Sequence, residues 1–321
     1  MTPRLTELSL GCSQLGNLYR AITDEQAHAT VEAAWELGIR YFDTAPHYGL
    51  GLSERRLGAS LAGRPRDDYV LSTKVGRLLE PVAHAQGIDD EGFDVAATHR
   101  RVWDFSRDGV LRSLDESLVR LGLDRVDVVY LHDPDQHYRE ALGTAYPALE
   151  ELRAQGVVAA IGAGMNQTAM LTDFARHTDM DILMLAGRYT LLDQTALDDL
   201  LPVCEQRGIR IVAAGVFNSG LLSSEAPAPD GKYDYGEPPP ALLRRVARIA
   251  EVCAAHGSSV PAAALALPLA HPAVVSVCVG ARSPEQVERN FDLHREHVPS
   301  ALWEGLKAEG LLRADAPTAS H

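Results

Sequence analysis

Short apolar runs alternate along this chain with longer stretches in which apolar residues recur every three or four positions. The first run, Leu8 to Leu10, leads into Gly11, Cys12 and Ser13. Thr23, with Gln26 three residues on, has the form of a capping box. Ala27, Val31 and Ala34 then keep helical spacing until Gly38 stops it. A second run, Ile39 to Phe42, ends on Asp43, and a third, YVLSTK, ends on Lys74. Leu111, Leu114, Leu118 and Leu121 share one helical face that closes at Gly122. A fourth run from Val126 to His132 follows almost at once. The fifth is VVAAIGA, the sixth starts at Asp181, and the seventh, IRIVAAG, follows a helix through Leu197, Leu200 and Cys204. The eighth, VVSVCVG, ends at Gly280 before an amphipathic helix from Pro284 to Phe291.

Eight strands of this kind, each too apolar for a half-exposed sheet, predict an α/β fold in which a parallel sheet closes into a (β/α)8 barrel. A doubly wound open sheet is the alternative on pattern alone. No linker divides the chain, so residues 1–312 read as one barrel domain and Arg313 to His321 as a disordered tail. Two intervals are long, Val75 to Phe105 and Val216 to Pro272. The second holds a Pro-rich loop, Ala226 to Pro240, and two helix-like runs. Loops that follow barrel strands build the face where such folds do chemistry, so both intervals are expected to shape pockets.

Composition narrows the class. A net charge of −14 argues against nucleic acid and anionic membrane as partners. Cys12, Cys204, Cys253 and Cys278 are widely spaced and form no C-x-x-C pair, which fits free thiols in a reducing cytoplasm. The longest apolar run, Val260 to Ala270, contains two prolines and is far short of a membrane span.

Chemistry gathers where the strands end. On a closed barrel, Asp43, Lys74 and His132 stand at one mouth, with Tyr48 on the loop above Asp43. An ammonium beside a phenol favours the phenolate, and a carboxylate keeps that ammonium charged and in place. Such a tyrosine exchanges a proton with an alcohol or carbonyl oxygen that His132 orients, while a cofactor handles the hydride. Lys74 alone would also suit a Schiff base. His132, Asp133 and His137 lack the companions of a metal site, so no metal is expected. Gly162-Ala163-Gly164 is too short for a dinucleotide fingerprint. Trp103 and Phe93 either line the substrate loop or anchor it.

The stretch GIRYFDTAPHYGLGLSERRLG, Gly38 to Gly58, resembles the first signature of the aldo-keto reductases. LSTKVG, VDVVYLHDPD and VVSVCVGARSPEQVERN resemble later ones, in the family's order. The resemblance implies the eight-stranded barrel, a catalytic tetrad of Asp43, Tyr48, Lys74 and His132, and a nicotinamide cofactor. It implies cofactor contacts from Gly11, Asp43, Asn166, Phe217, Ser219, Gly220, Leu221, Gly280, Arg282, Gln286 and Asn290. Where many members carry a nicotinamide-stacking tyrosine this chain has Ala214, which leaves Phe217 as the candidate ring. Arg188 is expected either to meet cofactor or substrate, or to bridge an acid on the rim. GAGMNQ, LAGRYTLLDQ and GVFNSGLL are similar to the subgroup of aldose (L-fucose-like) 1-dehydrogenases and pyridoxal 4-dehydrogenases. The expected substrate is therefore a small sugar or aldehyde, with general aldehyde or ketone reduction as the alternative. A nicotinamide-binding sensor without turnover is the alternative from another class. Gly280 and Gln286 stand where members that prefer NADP carry cations, so NAD is expected to be the better cofactor.

Overall fold

Turn chemistry written into the sequence sets the length of each layer. In this computed structural model, which describes residues 3–226, 232–234 and 236–318, Thr23 accepts from the Gln26 amide at 3.1 Å and starts α1 (Asp24–Glu36). Gly38, at φ 84°, turns the chain back toward the sheet. Ser106 caps α3 (Arg107–Leu121) in the same way, and Gly122, at φ 65°, ends it. Between them lies α2 (Leu52–Leu61), packed so closely on α3 that a Cβ at Gly58 would stand 1.9 Å from the Leu121 carbonyl oxygen.

The strands are β1 (Leu8–Gly11), β2 (Tyr41–Asp43), β3 (Val70–Val75), β4 (Arg77–Pro81), β5 (His99–Trp103), β6 (Val128–His132), β7 (Ala160–Met165), β8 (Ile182–Ala186), β9 (Arg210–Ala214) and β10 (Val274–Gly280). Eight of them close in the order β1-β10-β9-β8-β7-β6-β3-β2, all parallel, so the open-sheet alternative falls away. β4 and β5 form a separate antiparallel ribbon in the first long interval, which the apolar pattern did not announce. Further helices cover the barrel. A short turn, α4 (Tyr138–Glu140), runs through a π turn into α5 (Tyr146–Ala154), and α6 (Thr168–His177) and α7 (Leu200–Arg207) follow. The second long interval supplies α8 (Pro240–Ala255) and α9 (Val260–Leu269), after which α10 (Pro284–Arg295) and α11 (Ser300–Ala308) complete the layer. No single helix among the described residues is long and apolar enough to cross a membrane.

One apolar layer lies between strands and helices, and a smaller cluster fills the barrel with Tyr41, Val128, Tyr130, Ile182, Met184 and Val212. All four cysteines are free and buried, Cys278 in the inner cluster and Cys12, Cys204 and Cys253 in the outer layer. A carboxylate is also buried: Glu54, with no exposed side-chain surface, accepts from Arg120 at 2.5 Å and from Thr73 at 2.8 Å. It thereby ties α2 to α3 and β3.

The tail departs from expectation at its start. Leu311 and Leu312 are buried, Arg313 pairs with Asp198, and Lys307 donates to the Ala316 carbonyl at 2.7 Å. Residues 313–318 therefore pack on the barrel, because two leucines and a paired arginine anchor them. Residues 319–321, and 227–231 and 235 of the Pro-rich loop, lie outside the described residues.

Candidate active site

Register brings the charged strand ends together. Asp43 pairs with Ser72 across β2 and β3, Lys74 with Tyr130 across β3 and β6, and His132 with Gly164 across β6 and β7. The loop after Asp43 is held by backbone contact. A Cβ on Gly49 would lie 2.2 Å from the Gly16 oxygen, and one on Gly16 would lie 2.6 Å from the Tyr48 carbonyl carbon. No side chain fits between these segments, and Gly49 is also at φ 63°. Ser53 fastens the same loop by donating to the Cys12 oxygen at 2.6 Å.

Lys74 is the hub. Its ammonium donates to Asp43 Oδ2 at 2.6 Å, to the Thr44 oxygen at 3.0 Å and to the Tyr48 hydroxyl at 3.1 Å. Ser72 donates to the other Asp43 oxygen at 2.7 Å, and Tyr41 lies 2.9 Å from Ser72 and 3.1 Å from Tyr130. Asp43 thus has both oxygens engaged. Burial alone would lower the Lys74 pKa, but the attraction of Asp43 and Tyr48 wins and raises it, so the lysine stays charged.

The phenol differs from the sequence expectation. Burial pushes Tyr48 above its ordinary value, and Lys74, pulling the other way, offsets only part of that. The Tyr48 residue keeps some exposure toward the cavity, which tempers the rise. His132 is driven well below its usual value by burial and by the nearby positive charge of Arg77 and Lys74. It is therefore a neutral imidazole. Its 3.6 Å approach to Asp133 is not an ion pair, and its Nδ1 is buried without a partner among the described residues.

Asp43, Tyr48, Lys74 and His132 line one cavity of about 430 Å³, together with Gly11, Asn166 and Gly280. Sequence reasoning missed three of its neighbours. His47, pushed down to about 2 by burial and by Arg77, Arg101 and Lys74, packs edge-on against His132 with centroids 5.6 Å apart. Arg77 donates to Asp133 at 2.5 Å, and Arg101 donates to Asp89 at 2.5 Å and to the His47 oxygen at 3.1 Å. Arg77 and Arg101 sit on the β4–β5 ribbon, so only the fold brings them to the mouth. Phe93 does line the cavity, while Trp103 instead stacks on Phe105 and covers Arg77, 4.2 Å from its ring centroid. His137 lies against Trp103 and Phe105, with centroids 5.4 and 5.5 Å away. Among the described residues no group of three His, Cys, Asp or Glu side chains is arranged to hold a metal ion.

A second cavity of about 540 Å³ adjoins the first, and Gln14, Leu18, Tyr19, Gly215, Cys278 and Gly280 border both. Phe217, Ser219, Gly220, Arg282, Gln286 and Asn290 line it. Phe217 therefore faces this outer groove, whereas Ala214 faces the tetrad. Leu221 does neither: it is fully buried in the core, and its amide donates to the Asn218 oxygen at 3.3 Å. Arg188 is taken by Asp234 at 2.9 Å and by the Asn166 oxygen at 3.1 Å, the rim-bridging role. Arg20 and Arg289 also line the groove and were not singled out by the sequence.

The groove fits an elongated, polar cofactor. Asn218 Oδ1 is buried without a partner among the described residues, consecutive left-handed residues Asn218 and Ser219 turn the backbone, and a Cβ at Gly280 would strike Gln14 at 2.2 Å. The model for the aldo/keto reductase family matches residues 7–304.

The chain belongs to the aldo/keto reductase family.

This aldo/keto reductase is thus an oxidoreductase that works with a nicotinamide cofactor on a small molecule. It is 49% identical to D-threo-aldose 1-dehydrogenase of Pseudomonas sp over 95% of this chain and 94% of that one. It is 40% identical to pyridoxal 4-dehydrogenase of Microbacterium luteolum over 96% and 95% of the two chains. An aldo-keto reductase of Bacillus halodurans in its holo form superposes with a TM-score of 0.74 at 27% identity, covering 98% of this chain and 94% of that one.

Proposed function

We propose that the chain oxidises an aldopyranose at C1 to its lactone and uses NAD at least as well as NADP. The observation that carries the reading is the charge balance of the inner cavity. Lys74 is matched by Asp43, Arg77 by Asp133, and Arg101 by Asp89 and Glu91. Among the described residues no cation of this cavity is left over for an anionic substrate, yet donors and acceptors abound, which suits a neutral polyol. The likeness to the Pseudomonas aldose 1-dehydrogenase supports the same choice.

The bound nicotinamide supplies the acceptor for the hydrogen and electron pair that leave C1. Asp43 holds Lys74, and Lys74 holds the Tyr48 hydroxyl. Tyr48 takes the proton of the C1 hydroxyl as the C1–O bond becomes the lactone carbonyl. His132, neutral, orients that oxygen without competing for its proton. Gly11, Asn166 and Gly280 on the inner side, and Phe217, Ser219, Gly220, Arg282, Gln286 and Asn290 along the groove, are the residues proposed to hold the cofactor.

Preference for NAD follows from the end of the groove. Gln286 Oε1 accepts from the Arg282 amide at 3.0 Å, and Arg282 and Arg289 donate to the carbonyls of Leu18 and Ser223 at 3.5 and 2.9 Å. Glu285 and Glu288 are exposed on the same helix and repel a 2′-phosphate. Four buried free thiols support a cytoplasmic setting.

The deciding experiment follows reduced-nicotinamide absorbance with L-fucose, L-galactose, D-arabinose and pyridoxal, each with NAD and NADP. Lactone formation from an aldose is expected. Activity confined to the reduction of simple aldehydes would overturn the reading, and exclusive turnover of pyridoxal would favour the 40% identical relative's reaction instead. A kcat/KM ratio favouring NADP about tenfold would assign the 2′-phosphate to Arg20, Arg282 and Arg289.

A further inference from the structure

Asp133 combines a strained backbone with a half-used carboxylate beside the tetrad. It follows His132 and precedes Pro134, and its φ is 41°, a region that residues with a side chain seldom adopt. Its amide still extends the barrel ladder, donating to the Gly164 oxygen at 3.0 Å. One carboxylate oxygen accepts from Arg77 at 2.5 Å, and Arg77 is itself covered by Trp103. The other oxygen has no donor among the described residues, while the side chain is 34% exposed and lines the cavity of Tyr48 and His132. Strain of this kind persists where the surrounding structure fixes it, and it gathers at ligand sites.

We propose that Asp133, held by Arg77, selects the substrate by accepting a hydrogen bond from the hydroxyl next to the reacting one, the C2 hydroxyl of an aldopyranose. The inference rests on the aldose reading above and adds the residue that enforces it. A carboxylate only accepts, so it recognises a hydroxyl and not a carbonyl or ether oxygen. Asp133 Oδ2 lies 3.6 Å from His132 Nε2, so the group that orients the C1 oxygen and the group that reads its neighbour are adjacent. Arg77 and Trp103 fix the carboxylate in advance, so little freedom is lost when the sugar arrives. If neutralising Arg77 were its whole task, replacing Asp133 would affect every substrate alike.

The test measures kcat/KM for L-fucose and for 2-deoxy-L-fucose with the wild type, Asp133→Gly and Asp133→Asn. Glycine and asparagine both tolerate a positive φ, so the barrel ladder is kept. The wild type is expected to favour L-fucose by about 10-fold or more, the scale of one hydrogen bond to a charged group. Asp133→Gly should bring that ratio close to unity, mainly by losing activity on L-fucose, with Asp133→Asn in between. Because the ratio is taken within each protein, a general loss of structure cancels. Equal losses on both sugars in both variants, or a wild-type ratio near unity, would overturn the assignment. Turnover of some other substrate with neither sugar oxidised would overturn the aldose reading itself, and the inference with it.

Discussion

At the scale of single residues the site turns on one phenol and the groups that set its charge. Tyr48→Phe removes the hydroxyl proposed to take the C1 proton, so turnover should fall by about two to three orders of magnitude. Cofactor binding, read by fluorescence titration, should hardly change. A variant that keeps most of its turnover would take the proton transfer away from Tyr48. The pH profile carries a second prediction. Burial holds the phenol above its ordinary value near 10. The base form is therefore scarce at neutral pH, and oxidation should rise through the alkaline range to beyond about pH 10. Lys74→Met removes the charge that opposes burial, so the limb should move higher still. His132 is held neutral, so no acid limb near its usual value should be attributable to it. Asp43, Tyr48, Lys74 and His132 were legible in the sequence because each stands at or just beyond a strand end, and strand ends share a mouth. His47, Arg77 and Arg101 were not, since their meeting depends on a ribbon whose partners are 18 to 26 residues apart.

Elements show where pattern speaks and where it is silent. The eight barrel strands are continuous apolar runs bounded by turn residues, and they were readable for that reason. The β4–β5 ribbon is rich in charge, with Glu80 opposite Arg100, and its two five-residue strands show no apolar run or alternation to detect, although Leu78 and Leu79 are buried. Helix α6 lacks a side-chain cap, so its start had no marker, although Leu171, Phe174 and Ala175 are buried with helical spacing. The tail misled because its anchors, Leu311, Leu312 and Arg313, look unremarkable without their partners. Contact between α2 and α3 gives a prediction against helix propensity. Alanine is favoured over glycine in a helix by about 1 kcal/mol, but at Gly58 a methyl meets the Leu121 carbonyl. Gly58→Ala should therefore destabilise by about 1–3 kcal/mol, seen as a lower midpoint in urea. An unchanged midpoint would mean that the two helices part at no cost.

Over the whole molecule, the chain is negatively charged and the paired groups at the mouth of the barrel do nothing to offset that for an incoming anion. The chain carries −14 overall, and the cations of the inner cavity are already matched. A sugar phosphate should consequently be a poor substrate, with kcat/KM at least about 100-fold below that of its neutral parent. Comparable rates would show that Arg77 or Arg101 leaves its carboxylate to meet the phosphate. The buried cysteines give the molecule another property. Burial raises the thiols of Cys204, Cys253 and Cys278 to about 12, and Cys12 is raised as well, so none is a ready nucleophile while the fold is intact. A thiol reagent should find almost nothing to label at neutral pH, and then all four sites once the chain is denatured. Under milder conditions the order of labelling becomes a map. Cys204 and Cys253, on α7 and α8, report when the outer coat loosens, and Cys278 on β10, which borders both cavities, reports when the mouth of the barrel widens. Without any engineered probe, the enzyme carries two clocks, one for its coat and one for its mouth.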